Sequence, residues 1–278
     1  MLRCFMAVVV PVFVFGQVRH LRVEEVKGRA WLVFSGRRQR LEVGEVTFGV
    51  TIECERGAKA KIAMPDGSYA VLLPPPPDSR TTRATFGRTS KGKDAVFLEE
   101  GTVKALFATK RFCVVGKEFV VEPLAEKRSG KKFLAEGIVR LLKKKESCWS
   151  VFAVADSLKV LLSDSGAEIT IPEDEIAVIC FLEKEKRWRV KADEANEKNI
   201  TLRGRDGVKK DLAPNRCAEV FADKEDKATY GLIVPSPPPP EMVLRRERHL
   251  QLPVDSPYED AGEVLEAPYV TPKKPEER

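Results

Sequence analysis

From Val18 to about Phe221 the chain is a succession of short apolar runs cut by Gly, Pro and Asp, and a helical period is scarcely sustained anywhere. Val, Ile, Phe and Thr dominate these runs, and those residues suit a pleated, half-buried surface. Residues 29–34 (RAWLVF) and 51–54 (TIEC) are two candidate strands. Residues 59–64 (KAKIAM) alternate charged or small with apolar side chains, as a half-buried strand does. They run into Pro65-Asp66-Gly67-Ser68, a strong turn, and residues 69–73 (YAVLL) return from it. With 43% apolar residues the chain has enough hydrophobic surface for a real core. The expectation is an all-β fold of stacked hairpins, forming a sandwich or a short solenoid.

Three segments break the pattern. Residues 74–94 (PPPPDSRTTRATFGRTSKGKD) open on four prolines, which cannot donate to a sheet ladder. They read as a loop carrying Arg80, Arg83, Arg88, Lys91 and Lys93 against only Asp78 and Asp94, with the arginines as candidate partner contacts. Residues 184–198 are the best helix candidate, though their apolar face is thin. Residues 235–278 hold 10 of the 19 prolines and show little alternation, so they read as a disordered tail with Tyr258 and Tyr269 as contact points. An internal echo is also present: residues 97–106 (FLEEGTVKAL) and 133–142 (FLAEGIVRLL) share a frame at an offset of 36 residues, suggesting repeated strand–turn–strand units.

Residues 4–15 form an unbroken apolar run behind Arg3, too short to span a bilayer and suited to the core of a signal peptide. The expected cut lies at Gly16-Gln17, which divides the chain into a signal peptide (1–16), a β domain (17–125), a β continuation or second subdomain (126–234) and the tail. No transmembrane anchor is expected, and the mature protein is expected to be exported. Of the six cysteines, Cys4 lies in the leader; Cys54, Cys113, Cys148, Cys180 and Cys217 all sit within or beside strand-like runs without CxxC spacing. Buried thiols are the default reading, and a Cys113–Cys148 bridge is the alternative for an oxidising compartment.

The chemistry-bearing residues are sparse. His20 and His249 are the two histidines, one beside the expected cut and one in the tail, which is poor material for a His-dependent triad. No clustered metal ligands, phosphate-binding loop or dinucleotide fingerprint is present, so no metal, no cofactor and no enzymatic activity are expected. The acidic groups Glu99-Glu100 and Glu173-Asp174-Glu175 are placed in turns. The net charge is +6; residues from Pro235 onward carry −3 and those before them +9. That basic body raises nucleic-acid binding as a rival function, with Trp149 beside Lys143-Lys144-Lys145 and Trp188 within 184–189 as stacking groups. Interspersed acids dilute both patches, and nucleic acid is not the favoured partner.

Four segments together carry a family likeness: Val26-Lys27-Gly28-Arg29-Ala30, Leu41-Glu42-Val43-Gly44, Gly49-Val50-Thr51-Ile52, and residues 57–68 ending in Asp66-Gly67-Ser68. They resemble the FecR domain, with glycines at strand-to-strand corners and Asp-Gly-Ser closing a hairpin. Residues 98–103, 119–123 and 154–160 resemble later strands of that family. The resemblance implies an all-β domain outside the cytoplasm that binds or transmits, of a stand-alone type without an anti-sigma segment. It implies as partner an envelope protein complex or the cell wall (peptidoglycan), with Gly28, Gly44, Gly49, Asp66, Gly67 and Ser68 as the structural turn motif.

Overall fold

Alternation of buried and exposed side chains is what these residues do in space. The computed structural model describes residues 20–221 apart from 35, 78, 118, 125–132, 144–146 and 164, together with residues 232–233. The expected leader and cut at Gly16-Gln17, the tail with Tyr258 and Tyr269, and His249 lie outside the described residues. Among the described residues there is no helix and there are 22 strands. The first seven are β1 (His20–Lys27), β2 (Ala30–Phe34), β3 (Arg37–Arg40), β4 (Gly44–Thr47), β5 (Val50–Glu55), β6 (Lys59–Ala63) and β7 (Tyr69–Leu73). Next come β8 (Thr81–Arg88), β9 (Asp94–Glu100), β10 (Thr102–Phe107), β11 (Phe112–Val115), β12 (Phe119–Pro123), β13 (Ala135–Lys143), β14 (Cys148–Ala155) and β15 (Leu158–Leu162). The chain finishes with β16 (Glu168–Ile171), β17 (Ile176–Leu182), β18 (Arg187–Ala192), β19 (Ile200–Arg203), β20 (Lys209–Leu212), β21 (Cys217–Phe221) and β22 (Leu232–Ile233).

These strands form two 11-stranded sheets that pack as a sandwich. The first runs β22-β21-β18-β17-β14-β13-β10-β7-β6-β1-β4, the second β20-β19-β16-β15-β12-β11-β9-β8-β5-β2-β3. From β13 onward the chain adds one hairpin to the first sheet, then one to the second, and repeats. Both sheets pass from β10 to β13 and from β12 to β15 without a break in hydrogen bonding. A single apolar cluster from Leu21 to Val220 fills the space between them. The one parallel pairing among the described strands, β9 with β11, arises because β10 crosses alone to the first sheet before the chain returns.

Two expectations are corrected here. Residues 74–94 are not one loop, because Thr81–Arg88 is a strand paired with both β5 and β9. Thr82, Ala84 and Phe86 are buried on one face while Arg83 and Thr85 alternate outward, a period of two hidden behind the prolines and polar residues. Residues 184–198 are not a helix either; Arg187–Ala192 pairs with β17 and β21, and Trp188, Val190 and Ala192 face the core.

The internal echo does not mark equivalent positions. Gly101 turns the chain from β9 in one sheet to β10 in the other, whereas Gly137 lies inside β13. Gly101 adopts φ +87°, and a Cβ there would run into the Thr82 hydroxyl and stand 2.6 Å from the Thr82 Cα. Gly36 has φ +77° with nothing within 4 Å of its would-be Cβ. Gly101→Ala is therefore expected to destabilise by about 3 kcal/mol and Gly36→Ala by about 1 kcal/mol, since only the first adds a clash to the positive-φ penalty. Urea unfolding of the two variants checks the difference; equal losses would show that the Thr82 contact is relieved without strain.

Candidate interaction surface

The sequence-predicted residues divide among three places. Gly28 sits at the corner from β1 to β2 with φ +74°, where a Cβ would stand 3.0 Å from the Ala58 Cα. Gly44 opens β4, and Gly49 turns the chain from β4 into β5, its N–H donating to the Phe86 carbonyl at 2.7 Å. Asp66-Gly67-Ser68 closes the β6–β7 hairpin. Asp66 accepts from the Ser68 N–H and the Ser68 hydroxyl, each at 3.0 Å, and from the Thr109 hydroxyl at 2.5 Å. The Ala108 N–H donates to Ser68 Oγ at 2.9 Å, so this turn is stapled to the one that follows β10. The motif thus fixes two neighbouring turns and is an element of architecture.

The arginines do not form one cluster. Arg80 is exposed ahead of β8. Arg83, on the outer face of the second sheet, bonds Glu53 at 2.9 Å and Glu99 at 2.9 Å. Arg88, at the far end of the same strand, bonds Asp94 at 3.1 Å and stands 5.6 Å from the Phe48 ring centre.

Cross-strand register organises the outer face of the second sheet into bands. At the β3 end lies a charged lattice: Arg38 bonds Glu53 at 2.7 Å, Glu53 also holds Arg83, and Arg83 holds Glu99. The Arg38 guanidinium stands 5.2 Å from the Trp31 ring centre, and the Trp31 indole donates to Glu55 at 2.8 Å. Next comes an apolar row. Phe97 on β9 pairs with Val115 on β11, Val115 with Val120 on β12, and Val120 with Leu161 on β15, all half-buried on an otherwise polar face. The Phe97 ring occupies the room left by Gly87, 3.2 Å from where a Cβ would be. Glu168, Arg203 and Lys209 extend the same row to the far edge.

Beside the apolar row sits Glu122, 6% exposed and bonded by Lys93 and, at 2.9 Å, by Lys159. Burial alone would raise its pKa, but the two ammonium hydrogen bonds outweigh it and hold the carboxyl below its ordinary value of 4.5. With the folded-state pKa below the unfolded one, the ionised carboxylate stabilises the fold above about pH 4.5, and that contribution is lost as pH falls through the folded-state value. Glu122→Gln is expected to lose about 2 kcal/mol at pH 7, because it removes the carboxylate that Lys93 and Lys159 share and leaves Lys159 only its longer contact with Glu168 at 3.9 Å. The loss should shrink as pH falls below about 4.5 and through the folded-state value, measured by denaturant unfolding across pH; a pH-independent loss would assign the effect to packing.

The cysteine expectation is corrected. Cys113 is free and buried on β11 in the second sheet, whereas Cys148 lies on β14 in the first, so the two cannot meet. Cys148 is instead bonded to Cys180, directly opposite it on β17. Strand register, a non-local property, decides that pairing. Cys54 and Cys113 are free and buried, and Cys217 is buried on β21. Burial pushes the Cys54 thiol up to about 12, and burial with the Glu122 and Asp94 charges does the same for Cys113 against the opposing pull of Lys93. Neither is a thiolate at neutral pH, so neither competes in exchange.

Other acidic and aromatic groups are also committed. Glu175, 1% exposed, accepts from the backbone N–H groups of Glu197 and Lys198 and locks two turns together. Glu99 lies in β9 and bonds Arg83, so the first acidic pair is at a strand end and not in a free turn. Trp149 and Trp188 are 3% and 2% exposed and belong to the core, which removes them as stacking platforms for bases. Among the described residues no group of three or more His, Cys, Asp or Glu side chains could hold a metal ion, and no helix is long and apolar enough to cross a membrane. Comparisons with protein-family models, with curated proteins and with solved structures find no match to this chain.

Proposed function

We propose that this protein is a non-catalytic interaction module of the cell envelope, exported to the periplasm and acting as a scaffold of the stand-alone FecR type. The observation that carries the reading is the Cys148–Cys180 disulfide, a bond that persists in oxidising compartments and is rare in reducing ones. The apolar leader-like run at residues 4–15 supports the same location. The family part of the reading rests on the sequence likeness at the corner glycines and at Asp66-Gly67-Ser68, residues that stand at strand junctions.

The banded face of the second sheet is the surface offered to a partner. A row of half-buried apolar side chains flanked by fixed ion pairs has the anatomy of a binding patch, apolar at the centre and polar at the rim. The partner is an envelope protein or the peptidoglycan wall. Mass spectrometry of the native N-terminus, with non-reducing peptide mapping of the same material, tests the reading. A cleaved leader together with a Cys148–Cys180 cross-link is the expected result. An intact N-terminus with both thiols reduced would sink it, and salt-sensitive retention on heparin would then favour the nucleic-acid reading.

A further inference from the structure

Four large apolar side chains are exposed among the described residues, and two of them, Phe34 at 59% and Val208 at 56%, stand at the ends of hairpins in the second sheet. These hairpins, β2–β3 and β19–β20, lie at opposite edges of that sheet. Each sets its apolar residue among exposed cations. Phe34 lies directly opposite Arg37, with Arg38 next along β3. Val208 precedes Lys209, which lies directly opposite Arg203, and Arg205 is exposed on the loop between them.

The β19–β20 tip is held in this arrangement. The Gly204 N–H donates to the Val208 carbonyl at 2.9 Å, the Gly207 N–H to the Gly204 carbonyl at 3.0 Å, and Asp206 accepts from the Val208 N–H at 3.0 Å. The neighbouring acids are engaged within the sheet. Asp211 accepts from the Thr201 hydroxyl at 2.8 Å, and Glu168, opposite Arg203 on β16, stands 3.9 Å from Lys159. Like charges directly opposite one another weaken a ladder, so an anion shared by Arg203 and Lys209 relieves their repulsion.

What kind of anion follows from the apolar partner. An aliphatic side chain such as Val208 has no π-face on which a base could stack. A protein would need a fixed pocket shaped to a convex tip. The boundary between lipid headgroups and acyl chains takes an apolar side chain flanked by cations without any such pocket. The charge of +9 on the chain before Pro235 draws the molecule toward the same surface. We infer that the β2–β3 and β19–β20 hairpins are two contacts with an anionic phospholipid surface, each placing one apolar side chain below the headgroups and its cations among the phosphates.

Sedimentation of the full chain with vesicles of phosphatidylcholine and phosphatidylglycerol in equal parts, at low salt, is the test. Binding should exceed that to pure phosphatidylcholine at least about 10-fold and weaken as salt is added. Arg203→Glu/Val208→Ser/Lys209→Glu and Phe34→Ser/Arg37→Glu should each weaken it about 5-fold or more, and the two sets combined should leave only the level seen with neutral vesicles. The substituted positions are exposed and outside the core, so the urea midpoint serves as the folding control. Equal binding to neutral and anionic vesicles would overturn the inference, as would anionic binding that the combined variant retains. Displacement by inorganic phosphate at the lipid phosphate concentration would reduce the hairpins to simple anion sites and overturn the lipid assignment. Retention on heparin that these substitutions abolish, without vesicle binding, would overturn it in favour of a nucleic acid.

Discussion

Phe119→Ala should lower the unfolding free energy by about 4 kcal/mol, the range found when a large core aromatic is truncated. Phe119 is fully buried on β12 of the second sheet and reaches across to the first. Its ring meets Trp149 of β14 edge-on at 5.3 Å and Trp188 of β18 at 6.4 Å, and Trp188 in turn lies 4.9 Å from Phe181. This cluster is where the two sheets grip one another, and each such aromatic pair adds about 0.5–1.5 kcal/mol beyond area burial. Val120→Ala, at the half-buried neighbour on the opposite face of the same strand, should lose about 1 kcal/mol or less. Urea unfolding decides the matter: comparable losses for the two variants would mean that the cluster repacks and does not tie the sheets.

Opening the Cys148–Cys180 bond is expected to rank next. The bridge closes a separation of 32 residues, which corresponds to about 3–4 kcal/mol on the chain-entropy account. For a chain of this size that predicts a fall in Tm of about 10 °C on reduction, or in Cys148→Ser/Cys180→Ser. The paired variant should show no further response to reductant, because Cys148–Cys180 is the disulfide found among the described residues. A wild-type Tm unmoved by reductant would remove the bridge as a source of stability and, with it, the main support for an oxidising location.

Strand content was legible wherever the period of two was clean. KAKIAM, the Asp-Gly-Ser turn and YAVLL became β6, its turn and β7, because the inward positions Ala60, Ile62, Ala70 and Leu72 are all small or apolar and alternate with charged or half-buried ones, Val71 excepted. It was obscured in β8, where Thr82 and Ala84 are core residues that look like loop composition, and in β18, where charges flank Trp188 and Val190. The site was less legible for a physical reason. Phe97, Val115, Val120 and Leu161 lie far apart along the chain and become one row only through register across four strands. Cys148 and Cys180 are brought together in the same way, and neither spacing nor composition encodes it. Ion pairing obeys the same logic: Glu53, Arg38 and Arg83 come from three strands, so a local reading sees separate charges where the sheet holds a lattice.

The alternation of hairpins after β13 makes the molecule a ruler. Residues 158–192 lay one hairpin on each sheet, β15–β16 and then β17–β18, and β19–β20 and β21–β22 repeat the same order. Duplicating such a unit would lengthen both sheets by two strands, about 10 Å, without rethreading any connection or changing which side chains face inward. Span can then vary in fixed increments while both ends of the sandwich keep their own chemistry, so the distance between two things held at those ends is set by the number of units and not by any one residue.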